Sequence, residues 1–334
     1  MGNGYAFIRL PDGSLRVGLG PFEESASPVD GPCFYVNNWR LTDPAPWKVP
    51  ASIEKTTDLT EILEGSEGSL NAEWRPPNLD EFSPAFQQVA SLIGQEGVRK
   101  MVPVVTERGE FDQQQAGRRL AARIAGAKEP LVPYGYSAGA SGFVGATPEF
   151  LFSRSGSELT TMALAGTAPT AKRAAFEKDP KEIREHEMVV EHIVARLTDF
   201  GAVERLPREI FDLEGLCHFC SKIRAKIPMD LPLKDLIVSL HPTPAVGTLP
   251  ATAELRQVLL NIRNVLGAPD WFGAPFGYAE RDTFHCVVAI RGIGWDGCQA
   301  GIPSGCGIVG GSDLTREWDE LALKRESVKK LFSL

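Results

Sequence analysis

No run of residues in this chain reaches the ~20 consecutive apolar positions that a membrane-spanning helix needs. The opening residues, MGNGYAFIRLPDGS, carry neither the basic nor the apolar segment of a secretory signal, and position 6 lacks the Ser or Thr that myristoylation requires. A cytoplasmic location is therefore expected. Positive charge is in deficit: 35 Lys and Arg stand against 43 Asp and Glu, a net charge of −8. Such a surface disfavours nucleic acid and anionic membrane as partners.

Cysteine is sparse as well. Cys33, Cys217, Cys220, Cys286, Cys298 and Cys306 fall in no disulfide-framework spacing, and the C-x-x-C at 217–220 has no second pair with which to hold zinc, so buried thiols are expected. The five histidines (His186, His192, His218, His241, His285) are scattered singly, without H-x-x-x-H. Internal repeats, low-complexity tracts and Gly/Ser/Pro-rich linkers are missing too. With ordinary globular proportions, 43 % hydrophobic and 23 % charged, the 334 residues are read as a single domain over 1–334.

What the chain does have is concentrated near its end. Residues 305–334 read GCGIVGGSDLTREWDELALKRESVKKLFSL, a glycine-rich turn followed by Ser312 and Asp313, either able to cap a helix. In that helix Glu317, Glu320 and Lys324 recur at i, i+3 and i+7 and so share one face. Taken alone the stripe describes a solvated face with an i, i+4 pair. Residues 305–310 satisfy G-x-G-x-x-G, but only 24 residues follow Gly310 and they read as one helix. A dinucleotide site needs a crossover unit of about 30 residues there, so that reading fails.

Earlier in the chain, residues 1–77 suggest short strands broken by Pro and Gly. Ser83 and Pro84 open a predicted helix running to Gly94. VRKMVPVV (98–105) follows as a strand placing Lys100, Val102 and Val104 on one face, where an ammonium must reach water, a partner or a substrate. Asp112 and Gln115 suggest a capping box for a helix to about Gly126. Strands are predicted near 131–137, 142–153 and 158–165. The second sets Glu149 among apolar residues, where burial would raise its pKa as a neutral-pH proton donor requires. The third leads into LAGT at 164–167, where Gly166 can bring backbone and the Thr167 hydroxyl close to a ligand. A helix over 180–197 carries Glu182, Glu185, His186 and Glu191, an acid density that solvent explains. A strand near 205–213, helices near 232–239 and 251–265 around HPTPAVG, and two final sheet segments ending at Arg291 complete the pattern.

Each feature is weak singly; their succession is not. Lys100 in a valine-rich strand, TPE at 147–149, LAGT at 164–167, KEIREH at 181–186, HPTPAVG at 241–247, AIR at 289–291 and SGCGIVGGSDLTREWDELALK at 304–324 together resemble the chorismate-utilising enzymes: the isochorismate, salicylate, anthranilate and aminodeoxychorismate synthases. The resemblance covers about 80–334, with 1–79 as a reduced N-terminal part. It implies an α/β (α+β) fold like that of anthranilate synthase component I, two antiparallel β-sheets packed as a sandwich with helices outside. It also implies the site. Glu185 and Glu320 match magnesium ligands, and Glu317 a carboxylate supporting the metal. Arg291, Lys324, Gly305, Gly166 and Thr167 match positions that hold the substrate carboxylates, His218 lies near the substrate, and Trp271 falls where relatives carry an aromatic. Lys100 matches the base that activates water, and Glu149 the acid beneath the departing ring hydroxyl.

Among these enzymes the residues favour isochorismate synthase. Lys100 stands where the amine-adding anthranilate synthases carry glutamine, and Ala165 where aminodeoxychorismate synthases often carry a nucleophilic lysine. HPTPAVG is similar to the isochorismate synthase version of its loop. The resemblance implies chorismate as substrate, Mg2+ as cofactor and no glutamine amidotransferase partner; it leaves oligomeric state unknown. Salicylate synthase, which adds pyruvate elimination, is the alternative product class. Ala168, Pro103 and Thr248 depart from the family pattern, and Pro103 in particular suggests an edge or bulge that displaces Lys100. Those departures leave a third reading, a non-catalytic chorismate-binding protein.

Overall fold

A computed structural model describes residues 4–334 apart from 64–67, 69, 96, 113–115 and 214. Seven α-helices are present among the described residues: α1 (Leu79–Leu92), α2 (Ala116–Ala125), α3 (Arg173–Phe176), α4 (Pro180–Thr198), α5 (Leu233–Leu240), α6 (Ala253–Val265) and α7 (Leu314–Phe332). The strands form an antiparallel ladder that folds back on itself. One half runs, neighbour to neighbour, through Ala72–Arg75, Val104–Phe111, Gln299–Gly305, Gly292–Asp296, Ser141–Thr147, Val132–Ala138, Tyr5–Arg9 and Leu15–Ser25. The other continues through Trp47–Thr56, Cys33–Val36, Pro275–Glu280, Thr283–Val288, Phe150–Ser155, Glu158–Pro169 and Leu216–Lys226.

Period-2 alternation explains why the two halves stack. In the first strand Ala6 and Ile8 face inward, joining Tyr134 and Phe143 against Phe34, Phe276, Tyr278 and Val287 of the opposite sheet. Tyr5 and Phe7, one step off, face outward and pack with Leu120 and Ile124 of α2 and Val328 and Phe332 of α7. On the far side Leu159, Ala163 and Val288 meet Val189, Ile193 and Leu197 of α4 and Leu236 and Leu240 of α5. The result is the expected sandwich with helices outside.

Sequence patterning misplaces several boundaries, each for a local reason. Helix α1 starts before Ser83, because the Asn78 side chain accepts from Asp80 N and caps it; Pro84 lies inside the helix. The strand read over 142–153 is two strands broken at Pro148–Glu149, and that break leaves Glu149 outside both ladders. The strand read from 158 runs on to Pro169 through a bulge between Ala165 and Thr167. The capping box proposed at Asp112 and Gln115 lies partly outside the described residues.

Pro103 does break the segment that carries Lys100, as a residue without an N–H must. Rather than displacing Lys100, the break divides the segment between two sheets. Val104–Phe111 stays in the sandwich, while Lys100–Met101 becomes the middle of a separate three-stranded sheet between Thr248–Leu249 and Ile308–Val309. Met101 and Ile308 anchor that small sheet against Phe82 and Val89 of α1, Ile262 of α6 and Leu321 of α7. It lies where HPTPAVG, the glycine turn and α7 come together.

Candidate active site

At this junction opens a cleft lined by Lys100, Glu149, Gly166, Thr167, Glu185, His218, Arg291, Gly305, Glu320 and Lys324, together with Val246, Phe272 and Gly307. Ten of the twelve residues singled out from sequence therefore meet at one place, from segments as far apart as 100 and 324. Glu317 lies just behind the wall, and Trp271 is the exception. Its ring stacks on Phe143 at 5.2 Å and crowds Gly294 on the sandwich side, while its neighbour Phe272 faces the cleft. The aromatic at this wall is Phe272.

Lys100 is 1 % exposed, so of water, a partner or a substrate its ammonium reaches a partner. Its Nζ donates to Glu185 Oε1 at 2.8 Å. Gly307 makes this pair possible, since a Cβ there would overlap Glu185 Oε1 and lie 2.7 Å from Lys100 Cε. Glu149 is 3 % exposed and accepts a hydrogen bond from Thr243 Oγ1 at 3.2 Å. Burial pushes its pKa up to about 7, against the opposing pull of Thr243, Lys100 and Lys324. It can hold a proton near neutral pH, as a general acid must.

A second group of charged side chains, Lys324 and Arg291, lines the same cleft. Lys324 Nζ donates to Gly305 O at 2.8 Å and to Glu320 Oε1 at 2.7 Å. Arg291 adopts a left-handed backbone (φ 57°), unusual for a non-glycine residue. Its guanidinium donates to Ser327 Oγ at 2.6 Å and to His218 Nε2 at 3.0 Å. Because arginine has no acceptor, Nε2 must be the bare nitrogen of a neutral imidazole, and the ring proton sits on Nδ1. Nδ1 lies 3.0 Å from Gly166 O and 3.0 Å from Thr167 Oγ1. Burial, and then Arg291 and Lys324, hold the His218 pKa well below its usual value, which agrees with that tautomer. Gly166 makes the turn with φ 77°, bringing Thr167 N within 3.0 Å of Glu182 Oε2.

The acidic face of α4 is not solvated as its sequence suggested: Glu182, Glu185 and His186 are buried, and only Glu191 is exposed. Across from them Glu317, 2 % exposed, projects from the first turn of α7. Burial and the Glu320 charge push the Glu317 pKa up to about 7, and burial with Glu185 likewise raises Glu182. At Glu185 burial raises the pKa, but Lys100 and Lys181 outweigh it and the net direction is down. Glu182, Lys181 and Thr243 were missed as site residues. All three sat inside quoted motifs, but their roles depend on segments distant in sequence.

The donor set suits a hard divalent cation: carboxylate oxygens only, from two helices. Glu317 Oε2 is buried and makes no hydrogen bond of good geometry among the described residues, although the Ser312 hydroxyl favours its charged form. Among the described residues no three carboxylates are drawn together as a ready-made cage, and lysines stand between them instead. The residues fit magnesium in chemistry, with ammonium groups as present counter-ions.

A sandwich of two antiparallel sheets with helices outside carries a polar cleft that gathers a buried carboxyl, an arginine, two lysines and two further glutamates. Residues 48–332 match the family of chorismate binding enzymes, and the chain belongs to that family. Among its relatives, the salicylate biosynthesis isochorismate synthase of Pseudomonas aeruginosa is 31 % identical over 202 residues, 57 % of this chain and 42 % of the relative. The isochorismate synthase MenF of Bacillus subtilis is 26 % identical over 323 residues, 89 % of this chain and 65 % of the relative. The matched stretches thus span less than two thirds of either relative. The solved structure of MenF, the menaquinone-specific isochorismate synthase of Escherichia coli, superposes with a TM-score of 0.82 at 20 % identity, over 99 % of this chain and 89 % of the other, which shows the shared fold.

Proposed function

We propose that the protein is an isochorismate synthase, converting chorismate to isochorismate with Mg2+ in the cytoplasm. The observation that carries this is the pairing, in one cleft, of a buried lysine with a buried carboxyl whose pKa stands near 7. Family membership supports the substrate class, and the relatives named above support the product.

The substrate is a dianion, and Arg291, Lys324, the backbone of Gly305 and the Thr167 hydroxyl are the groups able to hold its carboxylates. With the His218 proton directed from Nδ1 toward Gly166 O and Thr167 Oγ1, the Thr167 hydroxyl hydrogen is left to donate into the cleft. Magnesium, held by Glu185 and Glu320 with Glu317 in support, would offset the repulsion between these glutamates and the substrate. Lys100 accepts a proton from water as oxygen bonds to ring carbon 2. The two ring double bonds shift, the carbon 4–oxygen bond breaks, and Glu149 protonates the departing hydroxyl. One water enters and one leaves, so the step is an isomerisation.

Lys100→Ala and Glu149→Gln test the assignment. Each should lower turnover by at least ~100-fold, the scale of a lost acid or base, while chorismate binding measured by calorimetry persists. Retained turnover in either variant would remove that residue from its role.

A further inference from the structure

Lys181 has a position that the proposed chemistry does not use. Asp179 caps α4 by accepting from Lys181 N at 2.9 Å, and Pro180 opens the helix, so the lysine stem starts from a fixed point. Its Nζ reaches Glu182 Oε1 at 3.1 Å, Glu317 Oε1 at 3.1 Å and Glu185 Oε2 at 3.9 Å. One ammonium thus sits among three buried carboxylates from two helices, two of them assigned above to the metal.

The other lysines of the group are engaged elsewhere: Lys100 pairs with Glu185 Oε1 and Lys324 with Glu320 Oε1, so among the described residues Lys181 is the lysine that reaches Glu182 and Glu317. The lysine side chain keeps 18 % exposure, against 5 % for Glu182 and 3 % for Glu317, so it lies on the solvent side of the group. An unbranched four-carbon stem at that position can swing outward without moving the helix. Glu317 Oε2, meanwhile, is a buried carboxylate oxygen with no well-placed hydrogen bond among the described residues.

We propose that Lys181 is a tethered cation that fills the place of the divalent metal when the metal is absent and swings out when it binds. This rests on the magnesium reading above. The lysine keeps the metal-free glutamates from repelling one another, and it weakens metal binding because its own ion pairs must break first. Removing it should therefore tighten the metal site while destabilising the empty protein.

The test uses chelator-treated full-length protein titrated with MgCl2 alone. Lys181→Met should bind magnesium at least ~10-fold more tightly than the wild type, unfold at a lower temperature without metal, and gain more in unfolding temperature on saturation. Lys181→Arg, which keeps the charge, should restore wild-type behaviour in all three. In the wild type, acetic anhydride labelling of Lys181, read by peptide mass spectrometry, should rise several-fold once MgCl2 is saturating, a readout that needs no variant to fold. Equal or weaker magnesium binding by Lys181→Met, or labelling that is unchanged or reduced by metal, overturns the inference while leaving the metal site standing. No heat or labelling change in any protein, with or without Lys181, overturns both.

Discussion

Lys100 Nζ lies 2.8 Å from Glu185 Oε1 in a buried pair joining the small three-stranded sheet to α4. Gly307, two residues past Gly305 in the glycine turn, is what lets them meet. Because the atoms a new Cβ would meet are the ends of flexible side chains, Gly307→Ala should fold with little loss of stability while the pair is pushed apart. Turnover should fall by ~100-fold or more, since displacement of about 1 Å at a reacting group suffices for that. Circular dichroism melts beside initial rates check this; wild-type rates would show that the pair tolerates displacement.

A pH prediction follows from Glu149. Its folded pKa is raised from 4.5 to about 7, so the protonated form is the one the fold favours. The stability this provides is fully present below pH 4.5 and is lost as pH rises through about 7. Glu149→Gln removes the ionisation, and above pH 8 it should be more stable than the wild type by about 3 kcal/mol, the order that such a shift represents. The advantage should vanish near pH 4.5. Urea unfolding at pH 5 and pH 8.5 measures it, and an advantage independent of pH would contradict the buried-acid account.

Trp39 tests whether the N-terminal region serves the site. Its indole Nε1 donates to Val246 O at 3.3 Å, its backbone N to Asp270 O at 2.7 Å, and its carbonyl accepts from His241 Nε2 at 2.8 Å. The Arg263 guanidinium lies 4.6 Å from its ring centroid and donates to Phe272 O at 2.8 Å. Trp39 thus touches both cleft-lining loops, at Val246 directly and at Phe272 through Arg263. Trp39→Phe keeps an aromatic ring but loses the Val246 bond, worth about 1 kcal/mol. We expect kcat/KM to drop by roughly 10-fold with the unfolding temperature lowered by only a few degrees, since the change loosens positioning more than packing. Steady-state kinetics with a thermal melt separates the two effects.

Much of this was legible in the sequence because helix periodicity is local. Glu317, Glu320 and Lys324 lie on one face of α7 whatever the helix packs against, and Glu149 was marked by its apolar neighbours. Other features depend on distant segments. The acidic turn of α4 reads as solvated until α7, some 130 residues later, brings Glu317 onto Lys181. Choosing between Trp271 and Phe272 fails from sequence because they sit in a loop, where no period of two dictates which side chain faces the cleft. Pro103 signalled a strand break correctly, but the sequence does not tell that Leu249 and Val309 wait on either side of Lys100.

The most direct test is to incubate the purified protein with chorismate and MgCl2 and resolve the products by chromatography, with Lys100→Ala and Glu149→Gln alongside. Isochorismate alone, formed by the wild type and by neither variant, is the outcome predicted. Salicylate with pyruvate would assign the second product class, while a wild-type protein that binds chorismate and leaves it unchanged would contradict the catalytic account.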